Sequence, residues 1–495
     1  MRIVHTSDWH LGKTLEGFSR VPEQKEFIEE LHQIVVDQNA HMVLIAGDVY
    51  DVFNPSAEAE DLFYYALEKL ADNGRRAVVV IAGNHDNPER IAAPEYLARH
   101  HGITLIGFPK DTVSLGGPRH GVQRTASGPG WVRLQVPGCD HEATLITLAY
   151  PSETRLGELF QIQFPGPSPG TSTSSGSNLS PNISPSHKGK DDEQDNGGDN
   201  GQDSSSRVNG KDNVEENGRD EGNGGDRGDN GKDNDNGADD RKDDRKIVFA
   251  YRQKIHEVLS RVAGQFREDT VNIIISHLFY GKGVSSDSER ILSIGGINAI
   301  QASDLPPCLV QYVALGHLHR PQSFHEAGYP IYYSGSPLAY SFSEAGQQKK
   351  VILVDIEPGQ EARITEVPLK CGLPLVRKTF RSYEEALVWC GQPENGNQLV
   401  EMEIIHPHPL GALEMRELRD RHKRIVTLKV TLESDQSRDA GAGDADGVGV
   451  RRLAELSLIE KFVAFYKLKN ASAEPSKELL DLFVELTQDL EEMDD

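Results

Sequence analysis

Residues 77–86 read AVVVIAGNHD, and this stretch decides the fold class. A run of apolar, mostly β-branched residues is typical of a strand that is buried on both faces. Gly83 ends the run, and it is followed by Asn84, His85 and Asp86, whose side chains bind metals or move protons. Because open α/β folds place their sites at the carboxyl ends of strands, the stretch predicts an α/β protein with a site at this edge.

Four other segments repeat this pattern of a short apolar strand that ends in potential ligands. The strands and the residues that follow them are 2–6 with Asp8 and His10, 41–46 with Asp48 and Asp51, 271–275 with His277, and 311–315 with His317 and His319. Side chains two positions apart on an extended chain share a face, so each Asp-x-His or His-x-His pair points in one direction. We therefore expect five strand ends to converge on one site.

The candidate ligands combine oxygen and imidazole donors. They are Asp8, His10, Asp48, Asn84, His277, His317 and His319. This set is too large for one tetrahedral ion and suits two six-coordinate ions, and mixed O and N donors without thiolate fit Mn²⁺, Fe or Zn²⁺. Two ions about 3.5–4 Å apart need a bridging carboxylate, and such a pair clamps a phosphoryl group while it activates water. Any single fragment is more often structural, so the prediction rests on the ordered set.

Length and composition limit the class of protein. A chain of 495 residues suggests two or three domains. The net charge of −25 means that any DNA-binding surface has to be a local basic patch. Four scattered cysteines without a Cys-x-x-Cys pair favour a reducing cytoplasm. With no signal peptide and no apolar run of about 20 residues, we expect a soluble, cytoplasmic, nucleoid-associated protein.

Changes in composition divide the chain into six segments. They are an α/β domain in two parts (1–163 and 247–370), a low-complexity insertion (164–246), a small β-α-β-α-β unit (371–433), a linker (434–450) and two C-terminal amphipathic helices (451–495). In the α/β domain we expect helices at 22–38, 57–73, 88–101 and 247–266, and a hairpin formed by 131–136 and 143–149. The insertion has too few apolar residues to offset its chain entropy and is expected to be disordered.

The two C-terminal helices, separated by Pro475, each have one apolar face. Helices that follow a linker have little of their own to pack on, which favours a groove on a partner protein. The alternative is that they dock back on the body of the same chain.

The ordered motifs resemble the calcineurin-like metallophosphoesterase superfamily. They are Asp8-x-His10, Gly47-Asp48-x-x-Asp51, Gly83-Asn84-His85-Asp86, His277 and Gly316-His317-x-His319. The resemblance implies a two-sheet α/β sandwich with a dinuclear metal centre. It also implies a ligand set for each ion: Asp8, His10, Asp48 and His319 for one, and Asp48, Asn84, His277 and His317 for the other. Spacing alone assigns no ligand to an ion.

The same resemblance implies catalytic roles for two further residues. His85 matches the residue that contacts the scissile phosphate and protonates the leaving oxygen. Asp51 matches its partner, which raises the imidazole pKa and fixes the orientation of the ring.

Longer stretches, such as MRIVHTSDWHLGKTL at 1–15 and IYYSGSPLAYSFSE at 331–344, resemble the nuclease subunits of bacterial nuclease–ATPase complexes. This implies a Mn²⁺-dependent 3′–5′ double-strand exonuclease and single-strand or hairpin endonuclease that acts in DNA recombination, replication and repair. It also implies that 371–433 caps the site over DNA, that 451–492 bind the coiled coil of an ATPase subunit, and that the chain is a homodimer within a heterotetramer. The alternative is a phosphatase or cyclic-nucleotide phosphodiesterase of the same superfamily, but such small substrates need neither cap nor tail helices.

Overall fold

The computed structural model describes residues 1–160, 236–289, 299–307 and 309–432, with residues 462, 463, 466, 475, 479 and 480. The predicted linker 434–450, most of the predicted insertion 164–246 and most of the predicted tail helices lie outside these residues. The chain divides into one unit of Met1–Phe164 and Arg245–Asp495 and another of Pro165–Asp244. The account below concerns the first unit.

The described residues form eighteen strands and eight α-helices. The strands are β1 (Arg2–Thr6), β2 (Thr14–Leu15), β3 (Phe18–Ser19), β4 (Met42–Ala46), β5 (Ala77–Ile81), β6 (Ile103–Ile106), β7 (Gln123–Gly128), β8 (Trp131–Gln135), β9 (Glu142–Leu148), β10 (Val271–His277), β11 (Tyr312–Gly316), β12 (Gln322–Phe324), β13 (Ile331–Tyr333), β14 (Lys350–Asp355), β15 (Arg363–Pro368), β16 (Leu375–Phe380), β17 (Leu399–His406) and β18 (Ile425–Leu432). The helices are α1 (Val21–Asp37), α2 (Ala57–Ala71), α3 (Pro88–Ala92), α4 (Glu95–Ala98), α5 (Glu153–Phe160), α6 (Asn236–Ala263), α7 (Tyr383–Cys390) and α8 (Ala412–Arg421).

Two large sheets carry the body of the protein. The first has six strands in the order β15-β14-β1-β4-β5-β6, and the second has seven in the order β12-β13-β11-β10-β9-β8-β7. In the first sheet β1, β4, β5 and β6 are parallel, and in the second β9, β10, β11 and β13 are parallel. The carboxyl ends of the parallel strands of each sheet therefore lie at one edge of that sheet.

Strand β5 shows why its sequence is apolar at every position. Ala77, Val79 and Ile81 pack in a core that also contains residues of the second sheet, whereas Val78 and Val80 pack in a separate core with α1 and α2. A third core joins the outer face of the second sheet to α5 and α6. The predicted two-sheet α/β sandwich is thereby confirmed, with helices on both outer faces.

The predicted hairpin is confirmed as the antiparallel pair β8 and β9, and α1 and α2 lie where helices were predicted. The single helix predicted at 88–101 is wrong, because the chain breaks into α3 and α4 there. Pro94 lies at the break, where its missing N–H removes a helical hydrogen bond.

Helix α6 begins at Asn236 rather than at the predicted residue 247, and it ends at Ala263 rather than at 266. Its first turns fall in the charged tract that was assigned to the disordered insertion. Asp239 and Lys242 carry opposite charges three positions apart in that tract, a spacing that supports a helix without apolar residues.

Residues 375–432 form the predicted β-α-β-α-β unit as a parallel sheet in the order β16-β17-β18. One face of this sheet is covered by α7 and α8, and Val400, Met402 and Ile404 lie in the core between them. Leu375 and Leu399 pack against Leu15 and Phe342 of the body. No helix among the described residues has the length and hydrophobicity that crossing a bilayer requires.

Candidate metal centre

The candidate ligands gather where the parallel strands of both sheets end. Three groups of carboxylate and imidazole side chains have their ligand atoms within 4.8 Å of one another: Asp8, His10 and His319; Asp48, His277 and His317; and His10, Asp51 and His85. Asn84 joins the second group, because its Oδ1 lies 2.9 Å from His277 Nε2. The structure thus brings together every residue of the predicted site. Asp8, His10, Asp48, His277, His317 and His319 are buried, whereas Asn84 is partly exposed and opens the site to solvent.

Four of these residues have a strained backbone. Asp8, His10, Asp48 and His317 have φ values of 54°, 46°, 49° and 106°, in the left-handed range that residues with a side chain rarely adopt. Such conformations cost of order 1–3 kcal/mol each and occur mainly at functional sites. The chain turns sharply after each strand, and this turn directs the side chains across the sheet edge.

The glycines that precede the ligands make room for this close approach. A Cβ atom on Gly83 would lie 2.1 Å from Asp48 Oδ1, and one on Gly316 would lie 1.8 Å from the carbonyl oxygen of Ala46. On Gly47, it would lie 2.4 Å from His277 Nδ1. Since real atoms cannot approach so closely, any larger residue at these positions would push the ligands apart.

In the first group, two imidazole nitrogens face each other. His10 Nε2 and His319 Nε2 are 2.9 Å apart, and both rings are buried. Asp8 is held beside them, because its Oδ1 accepts a 2.9 Å hydrogen bond from the backbone N–H of His317. Two ring nitrogens at this distance can share a proton or a cation.

In the second group, the orientation of His277 follows from its hydrogen bonds. Its Nδ1 lies 2.9 Å from the carbonyl oxygen of Ala46, which can only accept, so Nδ1 carries the proton and Nε2 faces the site. Asp48 Oδ2 lies 3.3 Å from His277 Nε2 and 3.7 Å from His10 Nε2. Asp48 therefore reaches both groups, as a carboxylate that bridges two ions has to do.

The electrostatics of the centre call for positive charge. Burial alone would raise the pKa of Asp48, but the charges of His277 and His85 hold it well below its ordinary value. Burial opposes protonation of His277, yet Asp48 raises its pKa to about 9. Burial and the charge of His277 lower the pKa of His317 well below its usual range. A divalent cation would supply this charge and displace the His277 proton, so the donor set fits a pair of such ions.

A buried polar chain stands behind His319. His319 Nδ1 lies 2.6 Å from Ser288 Oγ, and Ser288 Oγ donates a 2.6 Å hydrogen bond to Glu344 Oε1. The serine therefore accepts the Nδ1 proton, which leaves His319 Nε2 free to coordinate. Lys349 Nζ completes the chain at 2.5 Å from Glu344 Oε2, and this lysine and His319 lower the pKa of Glu344 although burial would raise it. None of these three partners was among the predicted site residues.

His85 lies at the entrance of the centre and is 6% exposed. Its backbone N–H donates to Asp48 Oδ1 at 2.9 Å, and its Nδ1 donates to the backbone carbonyl oxygen of Asp51 at 2.7 Å. Asp51 therefore orients the ring as expected, but through its backbone. The Asp51 carboxylate accepts from Lys13 Nζ at 2.6 Å and lies 3.4 Å from His10 Nδ1. Burial opposes ionisation of Asp51, and His10 and Lys13 together lower its pKa below the ordinary value.

Asp86 fastens two of the strand ends to each other. Its buried carboxylate accepts hydrogen bonds from the backbone N–H groups of Val49, Tyr50 and Gly83 at 3.1, 2.8 and 2.8 Å. These donors belong to the turns that follow β4 and β5. The Gly-Asn-His-Asp motif signalled Asp86 in the sequence, but a structural role of this kind was not predicted.

Comparisons with known proteins agree with this geometry. A family model described as "Calcineurin-like phosphoesterase" matches residues 1–119. A Bacillus subtilis protein, named as the SbcD component of the nuclease SbcCD, is 33% identical over 495 residues, which is all of this chain and all of the relative. Proteins of the same name from Rhodobacter capsulatus and Staphylococcus epidermidis are 30% and 27% identical, covering 76% and 75% of this chain and 71% and 70% of the relatives.

Proposed function

The chain belongs to the SbcD family of nuclease subunits, within the calcineurin-like phosphoesterases, and from this premise we propose that it is a metal-dependent DNA phosphodiesterase. The observation that supports the proposal most strongly is the position of Asp48 between two groups of buried donors, with His85 at the entrance. In finer detail, the enzyme is a double-strand 3′–5′ exonuclease and a single-strand or hairpin endonuclease. It acts with an SbcC-type ATPase in DNA recombination, replication and end processing.

Two divalent ions, most suitably Mn²⁺, are the proposed cofactors. The ligands of one are Asp8, His10, Asp48 and His319, and those of the other are Asp48, Asn84, His277 and His317. Such ions polarise a phosphoryl oxygen and lower the pKa of a coordinated water.

His85 is the proposed general acid. Its Nδ1 is held by the Asp51 carbonyl, so Nε2 is the atom that meets the substrate. In its protonated form the ring gives the Nε2 proton to the leaving 3′-oxygen as the phosphorus–oxygen bond breaks. A general acid in this position contributes about 10²–10⁴-fold to the rate.

The unit at 375–432 favours DNA over a small phosphate ester. It packs on Phe342, two residues from Glu344, and Glu344 belongs to the chain that holds His319. A substrate gripped by this unit would thus act on the segment that supports one ligand. A phosphatase or cyclic-nucleotide phosphodiesterase could use the same metals but has no evident need for this unit.

Substrate choice tests the proposal directly. With Mn²⁺ present, we expect the protein to cleave a defined hairpin oligonucleotide and linear plasmid DNA with far higher kcat/KM than a nucleotide monoester or a cyclic nucleotide. Chelation of the metal should abolish both activities. Rapid hydrolysis of the small esters with intact DNA would favour the phosphatase alternative.

The ATPase partner is proposed to bind residues 451–492. A chain truncated at Gly449 should keep its activity on short DNA and lose co-purification with an SbcC-type ATPase, and retained co-purification would rule this assignment out.

A further inference from the structure

The carboxyl end of β9 adjoins the metal centre without supplying any of the candidate ligands. The backbone N–H of Tyr150 donates to the carbonyl oxygen of Ala82 at 2.9 Å, which places Tyr150 beside the Gly83–Asn84 turn. The Tyr150 ring stands edge-on to the His277 imidazole, with 6.4 Å between their centroids. Tyr150 therefore forms a wall of the centre on the side of Asn84 and His277.

Arg155, in the first turn of α5, packs on this wall. Its guanidinium carbon lies 5.4 Å from the centroid of the Tyr150 ring and 5.7 Å from that of Phe108. Its hydrogen bonding within the described part of the chain is a 3.5 Å contact from Nη1 to the Tyr150 carbonyl oxygen. The acid on the same helix, Glu158, is paired with Lys110 at 2.5 Å. The guanidinium thus rests between two aromatic rings without a carboxylate partner among the described residues.

Other buried arginines of the described structure have such partners. Arg124 pairs with Glu95, and Arg252 pairs with Asp304. Arg155 is half-buried, and burial lowers the pKa of its guanidinium. A cation that has lost hydration without gaining a carboxylate costs free energy, and this cost is recovered when an anion binds. The arrangement is that of an anion site one aromatic ring away from the metal centre.

We propose that Arg155 binds the phosphate next to the scissile one in the nucleic-acid strand, with Tyr150 and Phe108 holding its guanidinium plane in place. This inference rests on the proposed nuclease function and deepens it. A guanidinium binds phosphate oxygens through two parallel hydrogen bonds, and its stacking on rings fixes the direction of that fork. Arg155 is a substrate-binding residue, and it does not touch the reacting atoms.

The test compares two substrates for the Arg155→Gln variant of the full chain, with Mn²⁺ present. One is a single-stranded oligonucleotide, and the other is bis(p-nitrophenyl) phosphate, which has a scissile diester but no neighbouring phosphate. For the oligonucleotide we expect KM to rise about 10-fold and the slope of log KM against log salt to fall by about 1, as for loss of one phosphate contact. Hydrolysis of the small diester should not change, which also shows that the variant is folded and loaded with metal.

Two further variants sharpen the test. Arg155→Lys keeps the charge but loses the planar fork, so its KM should lie between those of the wild type and Arg155→Gln. Arg99→Gln removes an arginine that also packs on a ring, at 5.1 Å from the Tyr96 centroid, but precedes β6 at the opposite edge of the first sheet. That variant should leave both reactions unchanged.

Three results would overturn the inference. Equal losses on both substrates would mean that Arg155 acts on the centre through Tyr150 and His277. An unchanged KM and salt slope for the oligonucleotide would show that it meets no phosphate. A wild-type protein that hydrolyses the small diester but never cleaves DNA would defeat the proposed function itself, and the inference with it.

Discussion

The two sheets contribute unequally to the metal centre. The first sheet supplies all the candidate oxygen ligands, and the second supplies only imidazoles, those of His277, His317 and His319. The oxygens of Asp8 and Asp48 are held by backbone N–H donors, whereas His277 and His319 are held by the acceptors Ala46 O and Ser288 Oγ. The negative charge of the site thus comes from one sheet and most of its neutral donors from the other. A substitution on the first sheet should therefore change the charge, and one behind the second should change only orientation.

The largest expected effect comes from Asp48→Asn. This change removes the carboxylate that reaches both donor groups, so we expect loss of at least one bound ion and a fall in DNA cleavage of about 10³-fold or more. Calorimetric titration with Mn²⁺ and a cleavage assay measure the two effects. Asp355→Asn is the control, since Asp355 pairs with Arg2 at 2.7 Å at the opposite edge of the first sheet. Two ions bound to Asp48→Asn with wild-type affinity would show that Asp48 does not bridge.

His85→Ala also lies on the first sheet but should spare the ions. We expect metal binding and folding to be retained while hydrolysis falls by about 10²-fold or more, because the general acid is lost. Single-turnover cleavage and metal stoichiometry check this prediction. His325→Ala, at the distant edge of the second sheet, is the matched control. Unchanged turnover of His85→Ala would exclude the proton-donor role.

Ser288→Ala probes the second sheet through the acceptor behind His319. The imidazole would lose the hydrogen bond that sets its tautomer, and the affinity for one ion should fall by about 10-fold, with the charge of the site unchanged. Stepwise Mn²⁺ titration should show one weakened and one unaffected ion. Ser127→Ala, on the edge strand β7, serves as the comparison. A weakening of both ions by the same factor would mean that the two groups are not held separately.

The smallest expected effect concerns the contact between the sheets. His5 Nδ1 lies 2.9 Å from Tyr312 Oη, and burial lowers the pKa of His5 to about 3. Because this value lies below the unfolded value of about 6.5, the neutral ring favours the folded state above pH 6.5, and the contribution is lost as pH falls towards 3. Between pH 6.5 and 5.5 we expect this group to reduce the free energy of unfolding by about 1 kcal/mol.

Urea unfolding at these two pH values checks the last prediction. His5→Gln can still bond to Tyr312 but does not titrate, so its stability should fall less over this interval than that of the wild type. Equal falls in the two proteins would show that His5 is not the group responsible.

The sequence by itself determined the strands, the sheet edge and the residues that gather there. A doubly buried strand, the glycine after it and the ligands that follow are adjacent in the chain, so the pattern at 77–86 could be recognised and matched to four others. The glycines of Gly47-Asp48 and Gly316-His317 are part of the same local signal, because the close approach that they permit is needed wherever a ligand follows a strand.

Only the tertiary structure decided which atoms support these ligands. Ser288 is 31 residues from His319 and 56 from Glu344, and no short-range spacing relates them. The carbonyl of Asp51, rather than its carboxylate, faces His85 Nδ1 because of the turn that follows β4, and a residue type cannot reveal that choice. Tyr150 and Arg155 belong to no metal-binding pattern, and their place beside His277 follows from the pairing of β9 with β10. Local chemistry is written in neighbouring residues, whereas contacts between distant segments exist only once the two sheets have packed.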